Sequence, residues 1–160
     1  YGIALLSSIC KQQGIETDLC VLVSEMEFLT LLTRSQPDFV GFSVVIERDY
    51  RACLPYIHLA KMMGYKTLLG GVYARRVQIN NSDIDYMCRG EAEILPDFLL
   101  HGDTTVFTSK YIHQNLNDLP LADYEIFKKF THDPETGLEF GEPARDYYKQ
   151  NFGLSKDIFV

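Results

Sequence analysis

Three short stretches carry residue types that could hold a ligand. Ser43, followed by Val44 and Val45, ends one apolar run. Gly70 and Gly71 end a second, KTLLGG over Lys66–Gly71, and Arg89, Gly90 and Glu91 follow a third. A hydroxyl accepts and donates hydrogen bonds. A glycine pair lets another molecule approach the backbone N–H groups closely. A helix start offers unpaired N–H groups to an anion. Together they suit a polar or phosphate-bearing ligand. Each also has a plainer reading: a satisfied buried hydroxyl, a strand-to-loop turn and a helix-starting turn. Taken singly, the plainer reading is favoured. The three gain weight if one sheet edge gathers them, because open α/β sheets bind ligands at the carboxyl ends of their strands.

Other chemistries lack their signatures. There is no Gly-x-x-x-x-Gly-Lys-Ser/Thr loop, no Gly-x-Gly-x-x-Gly and no Gly-x-Ser-x-Gly elbow. His58, His101, His113 and His132 are scattered, and no catalytic set is assembled. Arg75 and Arg76 follow the glycine turn and read either as solvated surface or as facing an acidic group of a ligand. Asp83 and Asp85 read as strand-flanking surface acids. Cys10, Cys20, Cys53 and Cys88 contain no Cys-x-x-Cys spacing. They read as reduced core thiols rather than a metal site.

The elements that would position these residues alternate. Helices are expected over 2–13, Glu25–Ser35, Glu47–Met63 and Glu91–Leu100, from apolar residues at helical spacing. Pro55 predicts a kink or a local irregularity in the third. Strands are expected over Thr17–Val23, Asp38–Ile46, Lys66–Gly71 and Ile84–Cys88. Asp38–Ile46, DFVGFSVVI, has the continuous apolar and β-branched character of a central parallel strand. Val106–His113 reads as a small hairpin or an added edge strand. The alternation predicts an α/β, doubly wound parallel sheet with right-handed crossovers. The pattern fades near residue 115. Asn115–Phe127, NLNDLPLADYEIF, reads as an exposed connector, and Thr131–Tyr148 as a polar, weakly packed tail. This divides the chain into a domain over 1–114 and a linker or tail over 115–160.

The 160 residues fit one domain with a tail. Fifteen Lys and Arg against 22 Asp and Glu give a net charge of −7, which argues against a nucleic-acid partner. No apolar run is long enough for a membrane span, and no secretory signal is visible. A cytoplasmic protein is expected. The opening at Tyr1 and the strand-like close at Asp157–Val160 read as the ends of a piece cut from a longer polypeptide.

Five segments in order resemble the cobalamin-binding domain of cobalamin-dependent radical SAM enzymes. They are Tyr1–Leu6 (YGIALL), Pro37–Val44 (PDFVGFSV), Leu69–Gly71 (LGG), Ile84–Glu93 (IDYMCRGEAE) and Asp118–Tyr124 (DLPLADY). Together they cover roughly residues 1–127. The resemblance implies a flavodoxin-like, Rossmann-like fold whose first, central strand would precede Tyr1. It implies cobalamin along an edge made by Ser43, Val44, Val45, Gly70, Gly71, Tyr73, Gly90 and Glu91. The Asp-x-His-x-x-Gly motif is absent, so no histidine is offered to cobalt, as is usual in that branch. Ile46 stands where the family often has Thr, and Val72-Tyr73 where it often has Pro-His. The Cys-x-x-x-Cys-x-x-Cys motif is also absent. The parent enzyme, methyltransferase-like, would therefore carry its 4Fe-4S cluster and S-adenosylmethionine in a barrel outside this chain. Two alternatives stand beside this reading: a flavodoxin-like scaffold or interaction domain that has lost its cofactor, and a flavin-binding flavodoxin relative.

Overall fold

The computed structural model describes residues 2–20, 24–76, 80–101, 106–107, 116–127, 131–133 and 137–139. In chain order the elements are α1 (Gly2–Gln12), α2 (Glu25–Ser35), β1 (Phe39–Ser43), α3 (Glu47–Met62) and β2 (Lys66–Gly70). There follow α4 (Val72–Arg76), β3 (Tyr86–Cys88), α5 (Leu95–His101), β4 (Val106–Phe107), β5 (Thr131–Asp133) and β6 (Gly137–Glu139). The strands β1 to β4 form one parallel sheet in the order β1-β2-β3-β4, and β5 and β6 form a separate antiparallel pair. The main sheet is an open, flavodoxin-like α/β arrangement.

Strand alternation divides the core into two faces. Val40, Phe42, Leu69 and Met87 point to one face, where they pack with Phe28 and Leu32 of α2 and Cys53, Ile57 and Ala60 of α3. Leu68 and Cys88 point to the other, packing with Phe98 of α5. On that second side α1 packs against α5. Helices therefore cover both faces, as double winding requires.

Local chemistry sets the element ends. Ser24 caps α2, its hydroxyl oxygen accepting from the Glu27 N–H at 3.2 Å. Gln36 closes the helix in the left-handed region, at φ 44°. Thr67 is the second residue of β2 and has no exposed surface. Its N–H donates to Asp85 Oδ2 at 2.9 Å, and its hydroxyl donates to the Asp83 carbonyl and accepts from the Asp85 N–H. Those bonds satisfy a buried polar residue and fix the entry into β3.

Several expectations are corrected. The apolar run Asp38–Ile46 forms a strand only over Phe39–Ser43, because Ile46 is already the N-cap of α3. The expected strand Thr17–Val23 is not a strand through Cys20, and residues 21–23 lie outside the described residues. A strand exists only where a neighbour completes its ladder, and none of the described strands pairs with it. The expected helix Glu91–Leu100 is split into a 3-10 turn at Ala92–Ile94 and then α5. Pro96 has no N–H for the Ala92 carbonyl, and the Leu95 N–H takes that acceptor in 3-10 fashion. The short helix α4 was not anticipated. Val106–Phe107 pairs parallel to β3, as an added edge strand does, while residues 108–113 lie outside the described residues. The β5–β6 hairpin lies in the stretch read as an irregular tail.

Candidate functional site

Because β1, β2 and β3 are parallel, their carboxyl ends share one edge. Ser43 pairs in register with Gly70, so the first two candidate stretches are direct neighbours. Ser43 is exposed. The Val44 N–H donates to the Gly70 carbonyl at 3.0 Å, and the Val44 carbonyl accepts from the Tyr73 N–H at 3.1 Å. Both polar backbone groups of Val44 are thereby used, and its side chain is fully buried.

Gly71 has φ +96°. A Cβ built there would stand 2.4 Å from the Val44 carbonyl oxygen and 2.8 Å from its nitrogen. The glycine is thus required twice, by its own backbone angle and by the close approach of Val44. At Gly70 a Cβ would meet only Cys88 Cβ, at an ordinary 3.7 Å. The two glycines therefore differ: Gly71 closes two loops onto each other, and Gly70 does not need to be bare for that purpose.

Around this junction the surface is apolar and open. Val45 is 58% exposed, Ile46 48% and Val72 45%. Three branched aliphatic side chains at one edge form an unusual solvent-facing group. Tyr73 is half-buried and stacks on Tyr50 of α3, with ring centroids 5.7 Å apart and planes inclined by 28°. The Asn81 amide reaches the Tyr50 hydroxyl at 3.4 Å. The third stretch joins the edge through Glu91, whose Oε1 lies 3.4 Å from Arg75 Nη1. Gly90 is half-buried, and its carbonyl accepts a weak bond from the Cys88 thiol.

Histidines are not part of this edge among the described side chains. His58 pairs with Asp83 at 2.9 Å, before β3 begins, and His101 ends α5. His113 lies outside the described residues. The described residues contain no group of three or more His, Cys, Asp or Glu able to hold a metal ion. All four cysteines are unpaired. Burial pushes the Cys20 thiol up to about 12, with Glu27 adding to it, and the Cys88 thiol up to about 11. They are protonated core groups. No described helix is long and apolar enough to cross a membrane.

Sequence reasoning placed Ser43, Val44, Val45, Gly70, Gly71, Arg89, Gly90 and Glu91 at strand ends, and the resemblance added Tyr73, but neither exposed the aliphatic trio. The signal was present in Val45 and Ile46, apolar residues that the strand pattern absorbed. An open groove of about 690 Å³ lies elsewhere, between α1 and residues 120–125, and shares no residue with the strand-end set.

The parallel sheet, the helices on both faces and the gathered strand ends define a ligand-binding α/β domain of the flavodoxin-like class. Residues 1–99 match the B12 binding domain family, and the chain belongs to that family. No curated protein matches the chain. Among solved structures, the crystal structure of the N-terminal domain of the hypothetical protein TM0182 from Thermotoga maritima matches with a TM-score of 0.49 and 16% identity. That match covers 68% of this chain and 90% of the other.

The edge has a composition that fits a corrinoid. A corrin offers a broad, largely apolar face rimmed by amide groups. The exposed aliphatic trio suits the face, and Ser43, Arg75 and Glu91 supply donors and acceptors for the rim. When bound, cobalamin supplies a cobalt centre for methyl transfer or radical chemistry.

Proposed function

We propose that the chain binds cobalamin on the carboxyl edge of its sheet and breaks no bond itself. The observation that carries this reading is the exposed trio Val45, Ile46 and Val72 at the strand ends of a B12-binding-family domain. Val45, Ile46 and Val72 would cover part of the corrin face. Ser43, Gly70, Gly71, Tyr73, Gly90 and Glu91 would line the path of the nucleotide tail. Val44 would support that path from beneath, since its polar groups are already paired. No described histidine stands ready to ligate cobalt.

The finer reading concerns the parent protein. We propose that the polypeptide continues into a radical SAM barrel, which would hold the 4Fe-4S cluster and S-adenosylmethionine. The barrel would do the chemistry, methyl transfer being the favoured type, and the compartment would be cytoplasmic. A strand preceding Tyr1 would pair with β1, which ends the observed sheet order. Extending the coding sequence past Val160 tests the parent. A three-cysteine Cys-x-x-x-Cys-x-x-Cys motif within about forty residues is expected, by analogy with the family's order of domains. A continuation without it would sink the radical SAM assignment.

One observation favours a second reading, a scaffold without cofactor. Gly71 and Val44 close on each other, so part of the glycine cleft is filled by the protein's own backbone. Hydroxocobalamin decides between the two. It is added to the chain extended by its upstream strand, excess is removed by gel filtration, and the visible spectrum is recorded. A coloured, stoichiometric protein is expected. Colourless protein at saturating cofactor would leave the scaffold.

A further inference from the structure

The family match ends at residue 99, yet a later segment is tightly bound to the domain. Residues 119–126 run against one face of α1, touching Ala4, Ser7, Ser8 and Lys11, a helical repeat of positions. Asp123 is the centre of this contact. Its N–H donates to the Ala4 carbonyl at 2.9 Å. Its Oδ2 accepts from the Ser7 hydroxyl at 2.6 Å and from Lys11 Nζ at 2.6 Å.

The proton order of the network follows from these bonds. Ser7 has one hydroxyl proton, and it goes to Asp123. The Thr17 hydroxyl, 2.7 Å from Ser7 Oγ, must therefore donate to Ser7. Ser7 is 2% exposed, so its bonds are made away from water. Ser8 adds a bond to the Leu121 carbonyl, and Ile126, near the end of the segment, is 2% exposed. An exposed connector would have neither a buried isoleucine nor a buried hydroxyl donating to its carboxylate.

We propose that residues 119–126 form a strap locked to α1 by Asp123, an integral part of the domain that makes the following chain leave from one fixed point. The strap carries Leu121, 93% exposed, on its outer side.

Hydrogen exchange read by mass spectrometry on the full chain, without cobalamin, tests this. In the parent, peptides spanning 121–126 should exchange well below the unprotected rate. Asp123→Ala removes the acceptor of two charge-assisted bonds and leaves the buried Ser7 hydroxyl with Thr17 as its side-chain partner. It should raise exchange of those peptides about tenfold or more while β1 and β2 peptides stay unchanged. Lys11→Met removes only the ion pair at an exposed site, and should raise strap exchange by a few-fold with the melting temperature unchanged. Three results would each overturn the proposal: unprotected strap peptides in the parent, strap exchange unmoved by either substitution, or a change in the strap that appears only together with the same change in β2.

Discussion

The two edges of the parallel sheet are built on opposite principles. At the amino edge, charges and hydroxyls are paired closely. Lys61 meets Asp85, His58 meets Asp83, and Thr67 is bonded on every polar atom that the Asp83–Asp85 turn can reach. At the carboxyl edge, the only ion pair between the loops is the long Arg75–Glu91 contact among the described residues, and three aliphatic side chains face solvent. Neither edge is required by the sheet itself, which needs only its ladder. The difference shows where the sequence spends its polar groups on holding the fold and where it leaves a surface unsatisfied. An unsatisfied apolar surface beside backbone turns is what a large, weakly polar ligand needs.

Substitutions can break this contrast in order of effect. The largest should come from Gly71→Val, because a Cβ there collides with the Val44 backbone and the φ of +96° disfavours any L side chain. A loss of roughly 2–4 kcal/mol of stability is expected, read by urea melts. A neutral result would mean that the two loops do not close as described.

On the opposite edge, Thr67→Val keeps the shape but removes the hydroxyl shared by the Asp83 carbonyl and the Asp85 N–H. Stability should fall by about 1–3 kcal/mol with no effect on cobalamin retention. Equal losses of cofactor and stability would erase the distinction between the edges. The converse change, Val45→Asp combined with Val72→Glu, should move stability by only about 0.5 kcal/mol, as exposed sites usually do. Cofactor retention should drop sharply. Retention equal to the parent would show that the aliphatic trio is not the corrin surface.

The smallest effect is the acid limb of the stability curve. Burial alone would raise the Asp85 carboxyl, but bonds from Lys61 and Thr67 outweigh it and hold the group below its ordinary value. Lys11, then Ser7, hold Asp123 low in the same way. For a carboxyl lowered by folding, the unfolded chain binds more protons as pH falls. The stability each contributes is therefore fully present above the ordinary value of 3.8 and is lost as pH drops through the lower folded value. Melting temperatures between about pH 5 and pH 3, a scan reaching about one unit either side of that value, should fall less steeply in Asp85→Asn than in the parent. Parallel curves would remove Asp85 from the account.

Much of the fold was legible because its signals are local. DFVGFSVVI and KTLLGG are runs of strand length, and their parts Phe39–Ser43 and Lys66–Gly70 lie in a sheet with helices packed on each face. The split at Pro96 was legible in principle, since a proline cannot donate to the turn before it. The end of β1 was not. Val45 and Ile46 have strand-forming side chains, and only the start of α3 at Glu47 turns them out to solvent. The strap was also hidden. Its proline and acids suggested a solvated connector, while the partners that hold Asp123 lie 112 and 116 positions earlier in the chain. The three ligand stretches could be gathered from topology alone, but pairing distances were needed to separate Gly70 from Gly71.

That separation bears on how such sequences change over time. Gly71 is held by the protein's own backbone, so a descendant that stopped binding any ligand would still need it to fold. Gly70 carries no such internal obligation, and drift could replace it once the ligand was gone. A surviving second glycine with a substituted first would then mark a lineage that had kept the architecture and abandoned the cargo.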